Sequence, residues 1–261
     1  MSVPHGSLIV NADDWGRDSD TTTRIFECAG PGGVSAVSAM VFMADSERAA
    51  ALARAHGIEA GLHLNFTTPF TAPAVPARLV RCQQKIARFL RCHRLATAVF
   101  NPALAHAFAY AVGAQRDEFR RLYGADPVHV DGHHHMHLCA NVLCGRLLPS
   151  GALVRRSFSF APDEKSAMNR FYRAGVDRIL ARRHRLTDYF FSLAPLAPAV
   201  RVRRICALAS RFTVELETHP VQPDEYRFLR DAEILRQGTP VRIVAPSSLR
   251  LEAATVHATA S

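Results

Sequence analysis

Five histidines and one aspartate fall within nine residues at His129-Val130-Asp131-Gly132-His133-His134-His135-Met136-His137. His129, Asp131, His133, His135 and His137 alternate, so an extended chain would turn all five toward one face. Neutral imidazole is a leading ligand for divalent metals and titrates near neutral pH. Same-face neighbours on a strand are roughly 6.6 Å apart, too far for five side chains to reach one ion. The run therefore supplies part of a metal site, and the partners come from elsewhere in the chain. The plain alternative is a histidine-rich loop with no chemistry beyond adventitious metal binding.

Three other stretches carry the same residue types. Asp13 and Asp14 follow the apolar run Leu8-Ile9-Val10. In a regular strand they would point to opposite faces, so a kinked strand end is required to aim both into one pocket. Beside a divalent cation, one carboxylate can ligate while its neighbour acts as general base. Without one, either aspartate would simply cap the next helix. His63, between Leu62 and Leu64, is either a buried structural imidazole or a ligand. His219 precedes Pro220 and could ligate metal or donate a proton to a leaving group. An Asp-His-His set leaves coordination positions for water and substrate, as hydrolytic metal sites require. Its ligand types favour zinc and also admit nickel, cobalt or manganese, while magnesium prefers oxygen ligands.

These stretches sit where strands end. Apolar runs at Leu8-Val10, Val34-Met43 and Ile58-Asn65 alternate with helical segments, one from Asp18 or Ser19 to Cys28 and one from Asp45 or Ser46 to about His56. That alternation predicts βα units and a largely parallel sheet, with functional residues beyond the C-terminal strand ends. Thr67 to Pro76 reads as a long loop, followed by helices from Arg78 to about Leu95 and from Asn101 or Pro102 to Tyr123. Farther on, helices are expected over Met136-Leu148, from Asp163 or Ser166 to about Leu186, and over Asp224-Gln237. Strands are expected at Leu153-Arg155, Asp188-Leu193, Thr213-Glu217 and Val241-Val244, with a frayed tail from Glu252. No repeat or linker divides the chain, which predicts one domain over 1–261 with its core at about 7–246.

Composition sets outer bounds. The 261 residues are 48% hydrophobic, enough for a sizeable core, and no apolar run is long enough for a membrane span. Six scattered cysteines without a C-x-x-C pair suggest reduced, packed thiols, and the start lacks the charged and apolar regions of a signal peptide, so a cytoplasmic location is expected. The formal charge of +9 invites a nucleic-acid reading. The basic residues are almost all arginine, with only Lys85 and Lys165 as lysines, a pattern that genome-wide bias explains without nucleic acid. No nucleic-acid partner is expected. A subunit contact after residue 67 would allow a homodimer.

Together, Asn11-Ala12-Asp13-Asp14-Trp15-Gly16, Gly61-Leu62-His63-Leu64-Asn65-Phe66-Thr67 and the histidine run resemble the signature segments of the YdjC-like carbohydrate deacetylases. Glu217-Thr218-His219-Pro220 is similar to a later His-Pro segment of that family. The resemblance runs from residue 7 to about 240. It implies a distorted (β/α) barrel like a TIM barrel, with its active site at the C-terminal strand ends. It also implies a divalent-metal-dependent hydrolase of an acetylated carbohydrate, removing an acetyl group from an N-acetylated amino sugar or short oligosaccharide by attack of a metal-bound water. Carried over, Asp14, His63 and His133 match the metal ligands, Asp13 the catalytic base and His219 the general acid. Arg155 corresponds loosely to an arginine that steadies the base. His129, Asp131, His135 and His137 become supporting or substrate-facing residues. Trp15 stands where the family usually has Phe, a change of pocket wall, and regions 67–100 and 178–204 match no subgroup and are expected to shape the sugar pocket. The competing readings are a metal hydrolase acting on an O-acetyl ester or phosphoester, and a non-catalytic basic protein that binds nucleic acid or metal.

Overall fold

The computed structural model describes residues 6–30, 33–93, 95–160 and 164–249. Seven parallel strands form one sheet in the order β5-β4-β3-β2-β1-β7-β6. They are β1 (Ser7–Trp15), β2 (Ala36–Ala39), β3 (Ala60–Leu64), β4 (His129–Gly132), β5 (Leu153–Val154), β6 (Tyr189–Ser192) and β7 (Thr213–Thr218). The connecting helices are α1 (Ser19–Cys28), α2 (Ser46–His56), α3 (Ala77–Cys92), α4 (Ala105–Tyr123), α5 (Ala140–Cys144), α6 (Ala167–Ala181), α7 (Ala199–Ala209) and α8 (Pro223–Arg230). This is the parallel α/β sheet that the strand–helix alternation predicts, curled into a half-barrel in keeping with the distorted barrel that the resemblance implies. The edges nearly meet: Arg185, just before β6, bridges to Leu153 on β5, and Ser159 N–H donates to the Phe190 carbonyl at 2.8 Å.

Local signals explain the helix bounds. Asp18 caps α1 by accepting from Thr21 N–H at 2.8 Å, and α2 stops at Gly57, whose φ of 65° suits a residue without Cβ. Strands β1 to β4 are buried along their whole length, so the sheet is covered on both faces, as parallel sheets require. Among the described residues, no helix is long and apolar enough to cross a membrane. None of the six cysteines is bridged.

Several expected elements differ. The helix expected over Met136–Leu148 is broken: a kinked turn over His133–Leu138 gives way to short α5, because Cys139 is extended between them. Val241–Val244 makes only one bridge, Ile243 to Leu8, filling the part of the β1 edge that β2 leaves open before Asn11. Helix α6 ends at Ala181, since Arg185 is drawn into the bridge with β5. Ser166 caps it, while Asp163 and the tail from Glu252 lie outside the described residues. The segment Asp224–Gln237 is α8 followed by a separate 3-10 turn over Glu233–Arg236. Arg201, Arg203 and Arg204 ride on α7, a helix whose bounds the sequence pattern does not mark.

Candidate active site at the strand ends

The kink required at the end of β1 is present and has two parts. From Ala12 to Trp15, β1 advances three residues while β2 advances from Val37 to Ala39, a bulge. Within it, Asp14 takes a left-handed φ of 67°, a conformation that aspartate tolerates better than most side chains. Both carboxylates therefore turn into the same buried region, where each is 3% exposed.

Asp14 faces the two histidines expected as its partners. His63, on β3, brings Nε2 to 3.4 Å from Asp14 Oδ1, and His133, just past β4, brings Nδ1 to 2.9 Å from the same oxygen. Oδ1 is buried and has no hydrogen-bond partner, while Oδ2 accepts from Arg17 Nη1 at 3.1 Å. Ligand atoms of the three residues lie within 4.8 Å of one another. The three thus bring their ligand atoms together at a common point, as a cation-binding set would. His63 Nδ1 pairs with Asp131 Oδ1 at 2.8 Å, which orients the ring and leaves Nε2 for the common point. Burial opposes a charged His63, but the carboxylates of Asp131 and Asp13 lift its pKa well above the ordinary 6.5. The surroundings favour positive charge at that ring.

Arg155 organises the other half. Its guanidinium, wholly enclosed, donates Nη1 to Asp13 Oδ2 at 2.6 Å and Nη2 to Asp13 Oδ1 at 2.7 Å. It also pairs with Asp131 at 2.7 Å, Glu215 at 2.6 Å and Glu217 at 3.2 Å. Burial pushes the Asp13 carboxyl up, yet Arg155 and His63 together hold it below the usual range. One guanidinium cannot offset four buried carboxyls. Burial pushes Glu215 up to about 7 and raises Glu217 well above its ordinary value, against the pull of Arg155. Asn11 Nδ2 donates to Asp13 Oδ1 at 2.8 Å and to Ser38 Oγ at 2.7 Å, and Ser38 Oγ donates to Asp131 Oδ2 at 2.6 Å.

His219, just past β7, is half-buried, and its side-chain nitrogen lies within 4.8 Å of carboxylate oxygens of Asp13 and Glu217. Its backbone N–H donates to Glu225 Oε2 at 2.7 Å, which fixes the turn. All five expected site residues (Asp13, Asp14, His63, His133 and His219) are thus gathered in one place, and Arg155 joins them.

The extended histidine run is the main correction. The strand ends at Gly132, and His134 and His135 both adopt left-handed backbone, with φ of 55° and 57°. Alternation therefore holds for His129 and Asp131 and fails from His133 on. His129 Nε2 lies 3.3 Å from Ser38 Oγ and its ring rests on Gly61, while His137 Nε2 donates to the Arg155 carbonyl at 3.0 Å. Both are buried, which lowers each pKa to about 4 and keeps the imidazoles neutral. They support the site from beneath. His135 instead approaches Glu217 Oε1 at 3.5 Å, and His134 Nδ1 lies 3.0 Å from Thr67 Oγ1. Trp15 is no pocket wall; it is fully buried in the main core.

Glu215 and Glu217 as site residues escape the sequence reading, which takes β7 as a simple alternating strand. A signal was available. Two glutamates two apart share a face, and a strand enclosed on both sides cannot leave that face in water.

Fold and site define an α/β half-barrel with a carboxylate–imidazole centre at its C-terminal strand ends. The chain belongs to the YdjC family, whose model, described as YdjC-like protein, matches residues 7–243. It is 28% identical to a carbohydrate deacetylase of Mus musculus, across 85% of this chain and 80% of the relative. It is 32% identical to a chitooligosaccharide deacetylase of Serratia marcescens, across 50% of each. A solved structure from Enterococcus faecalis V583, named a "putative cellobiose-phosphate cleavage protein", shares the fold with a TM-score of 0.66 at 19% identity, covering 94% of this chain and 98% of the other.

Proposed function

We propose that this chain is a divalent-metal-dependent hydrolase that removes the acetyl group from an N-acetylated amino sugar or short oligosaccharide. The observation that carries the reading is the convergence of Asp14 Oδ1, His63 Nε2 and His133 Nδ1 from three strand ends, with Asp13 clamped beside them. The names of the curated relatives support the substrate class.

Asp14, His63 and His133 would hold the ion, and two imidazoles with one carboxylate suit zinc. Bound there, such an ion polarises a carbonyl and makes water acidic enough to attack it near neutral pH. The protein does the rest. Asp13, fixed by both prongs of Arg155, accepts the proton that the attacking water loses. Asp131 holds the His63 ring at its tilt. His219, whose side-chain nitrogen lies within 4.8 Å of an Asp13 carboxylate oxygen, donates a proton to the departing amine, so that acetate and a free amino sugar result. The reading assigns one catalytic unit to the chain, and its six unbridged cysteines agree with a reducing compartment such as the cytoplasm.

The test is acetate release from a panel of N-acetylated sugars, with and without chelator. Chelator-sensitive acetate release is expected. Phosphate release from phosphoesters, or acetate only from O-acetyl esters, would replace the reaction with the neighbouring one. In His133→Ala the bound metal should fall away, and unchanged metal content by elemental analysis would remove His133 from the ligand set.

A further inference from the structure

Met168 and Phe171, near the start of α6, are 83% and 81% exposed, and Tyr172 and Ile179 stand exposed on the same side of that helix. At spacings of three, four and seven residues these side chains share one face. The stripe that meets the core is a different one, made by Val176, Asp177 and Leu180. Three more large apolar side chains, Leu95, Val99 and Phe100, are exposed around the short turn Ala96–Ala98. The turn and the helix flank one cavity, with Thr97 in its wall beside Asn169 and Tyr172. Single exposed apolar side chains are ordinary, but adjoining segments that together expose seven mark a surface built to be covered.

The charge around these side chains has one sign. Residues 165–187 hold seven basic residues and one acid, Asp177, which is buried and paired with Arg156 at 2.8 Å. Residues 93–116, which carry the turn, hold no acid. Among the described residues, Arg170, Arg178, Arg182 and Arg183 form no ion pair with a carboxylate. Arg182 and Arg183 line a hollow beside Ile179 together with Arg146, so the cations surround the far end of the apolar stripe.

Apolar side chains set among uncompensated arginines suit an anionic bilayer. The apolar groups enter the boundary between headgroups and acyl chains, and the guanidinium groups meet lipid phosphates. Two-fold pairing with a second copy would set this face against itself, so its arginines would meet one another with no carboxylate to receive them. Nucleic acid would answer the arginines and leave Met168 and Phe171 against phosphate and water. We infer that this face, α6 with the turn Ala96–Ala98, docks the protein on a negatively charged membrane surface. Docking of this kind is independent of which bond the centre cleaves. The cavity under Tyr172 also has His134 and His135 in its wall, so a docked chain holds its strand-end centre close to the lipid.

The experiment sediments the full chain with vesicles of phosphatidylglycerol mixed into phosphatidylcholine and, separately, with vesicles of phosphatidylcholine alone. Binding is expected on the mixed vesicles, and salt at about 1 M, where the Debye length is about 3 Å, should weaken it. Phe171→Ser should lower the partition coefficient by on the order of tenfold, the worth of burying one large apolar side chain. Arg178→Gln combined with Arg182→Gln should lower it by roughly 30-fold, the worth of two cations near such a surface. Leu235→Ser, at an exposed position on the turn after α8, should bind like wild type. No binding to the mixed vesicles, equal binding to both kinds, or binding that neither patch variant weakens would overturn the inference. So would a dimer that Phe171→Ser dissolves in a chain that ignores vesicles, which assigns the face to a second copy. Binding of duplex DNA that the arginine variant loses and Phe171→Ser keeps, again without vesicle binding, would overturn it in favour of nucleic acid.

Discussion

Arg155 and Asp13, 142 positions apart, meet through two hydrogen bonds of 2.6 and 2.7 Å inside the sheet. The paired prongs fix the plane of the carboxylate as well as its charge. A lysine could supply the charge but not the plane. Arg155→Met leaves a cluster of buried carboxyls without its cation, and loss of one partner of a buried pair costs about 3–5 kcal/mol. Urea denaturation should show a loss of that size. A midpoint unchanged from wild type would mean that the carboxyls find another counter-charge.

Asp13→Asn keeps the shape and removes the proton acceptor. Bound zinc should stay at the wild-type ratio while kcat falls by about 10²–10⁴-fold, the usual worth of a general base. Turnover like wild type would take Asp13 out of the reaction.

Asp131 acts through His63 and touches no reacting atom in this arrangement. Asp131→Asn should therefore weaken zinc affinity by about 10–100-fold, as loss of a partner that orients a ligand histidine does. Competition with a chromophoric chelator measures this. Wild-type affinity would show that the His63 ring is held by packing alone.

Glu215 sets a pH dependence of stability. Its carboxyl, ordinarily near 4.5, is pushed up to about 7 in the folded chain by burial. The folded state thus holds a proton that the unfolded state releases, so the stabilisation is fully present below about 4.5 and is lost as pH rises through about 7. A change of this kind amounts to on the order of 3 kcal/mol at one to two pH units above the window. Chemical denaturation from pH 5 to 8 should show stability falling, and Glu215→Gln should flatten that slope. An equal slope in both proteins would exclude Glu215 as its source.

Gly61 is a packing constraint under the site. A Cβ there would lie 2.3 Å from the His129 ring, which is itself hemmed in beside Ser38. Gly61→Ala should cost about 1–3 kcal/mol, the usual penalty of overpacking. A thermal midpoint equal to wild type would mean that His129 moves aside freely.

The sequence made the parallel sheet legible because each strand is a short apolar run ending in polar residues, as at Leu8 to Asp14 and Ile58 to Asn65. The meeting of Asp14, His63 and His133 was legible in part for the same reason, since each stands at a strand end, while the resemblance singled out these three. The kink at Asp13-Asp14 followed from the need to turn two adjacent carboxylates one way. Backbone hand was harder to read. Left-handed residues are usually glycines, and nothing in the letters His134 and His135 announces that both take that conformation. The burial of Glu215 and Glu217 was hidden because their partner, Arg155, is set by strand order and not by nearness in sequence.

Strand order has a consequence for how the protein is made. Of the seven strands, β1 is made first, and its neighbour in the sheet, β7, is made last. Until residues 213–219 emerge, one edge of β1 has no strand at residues 7–12 to pair with, and Asp13 lacks Glu217 and His219. Such distant pairings form slowly. The growing chain therefore carries an open-edged sheet until β7 is made, and β7 brings the pairing partner of β1 and the neighbours of Asp13 together.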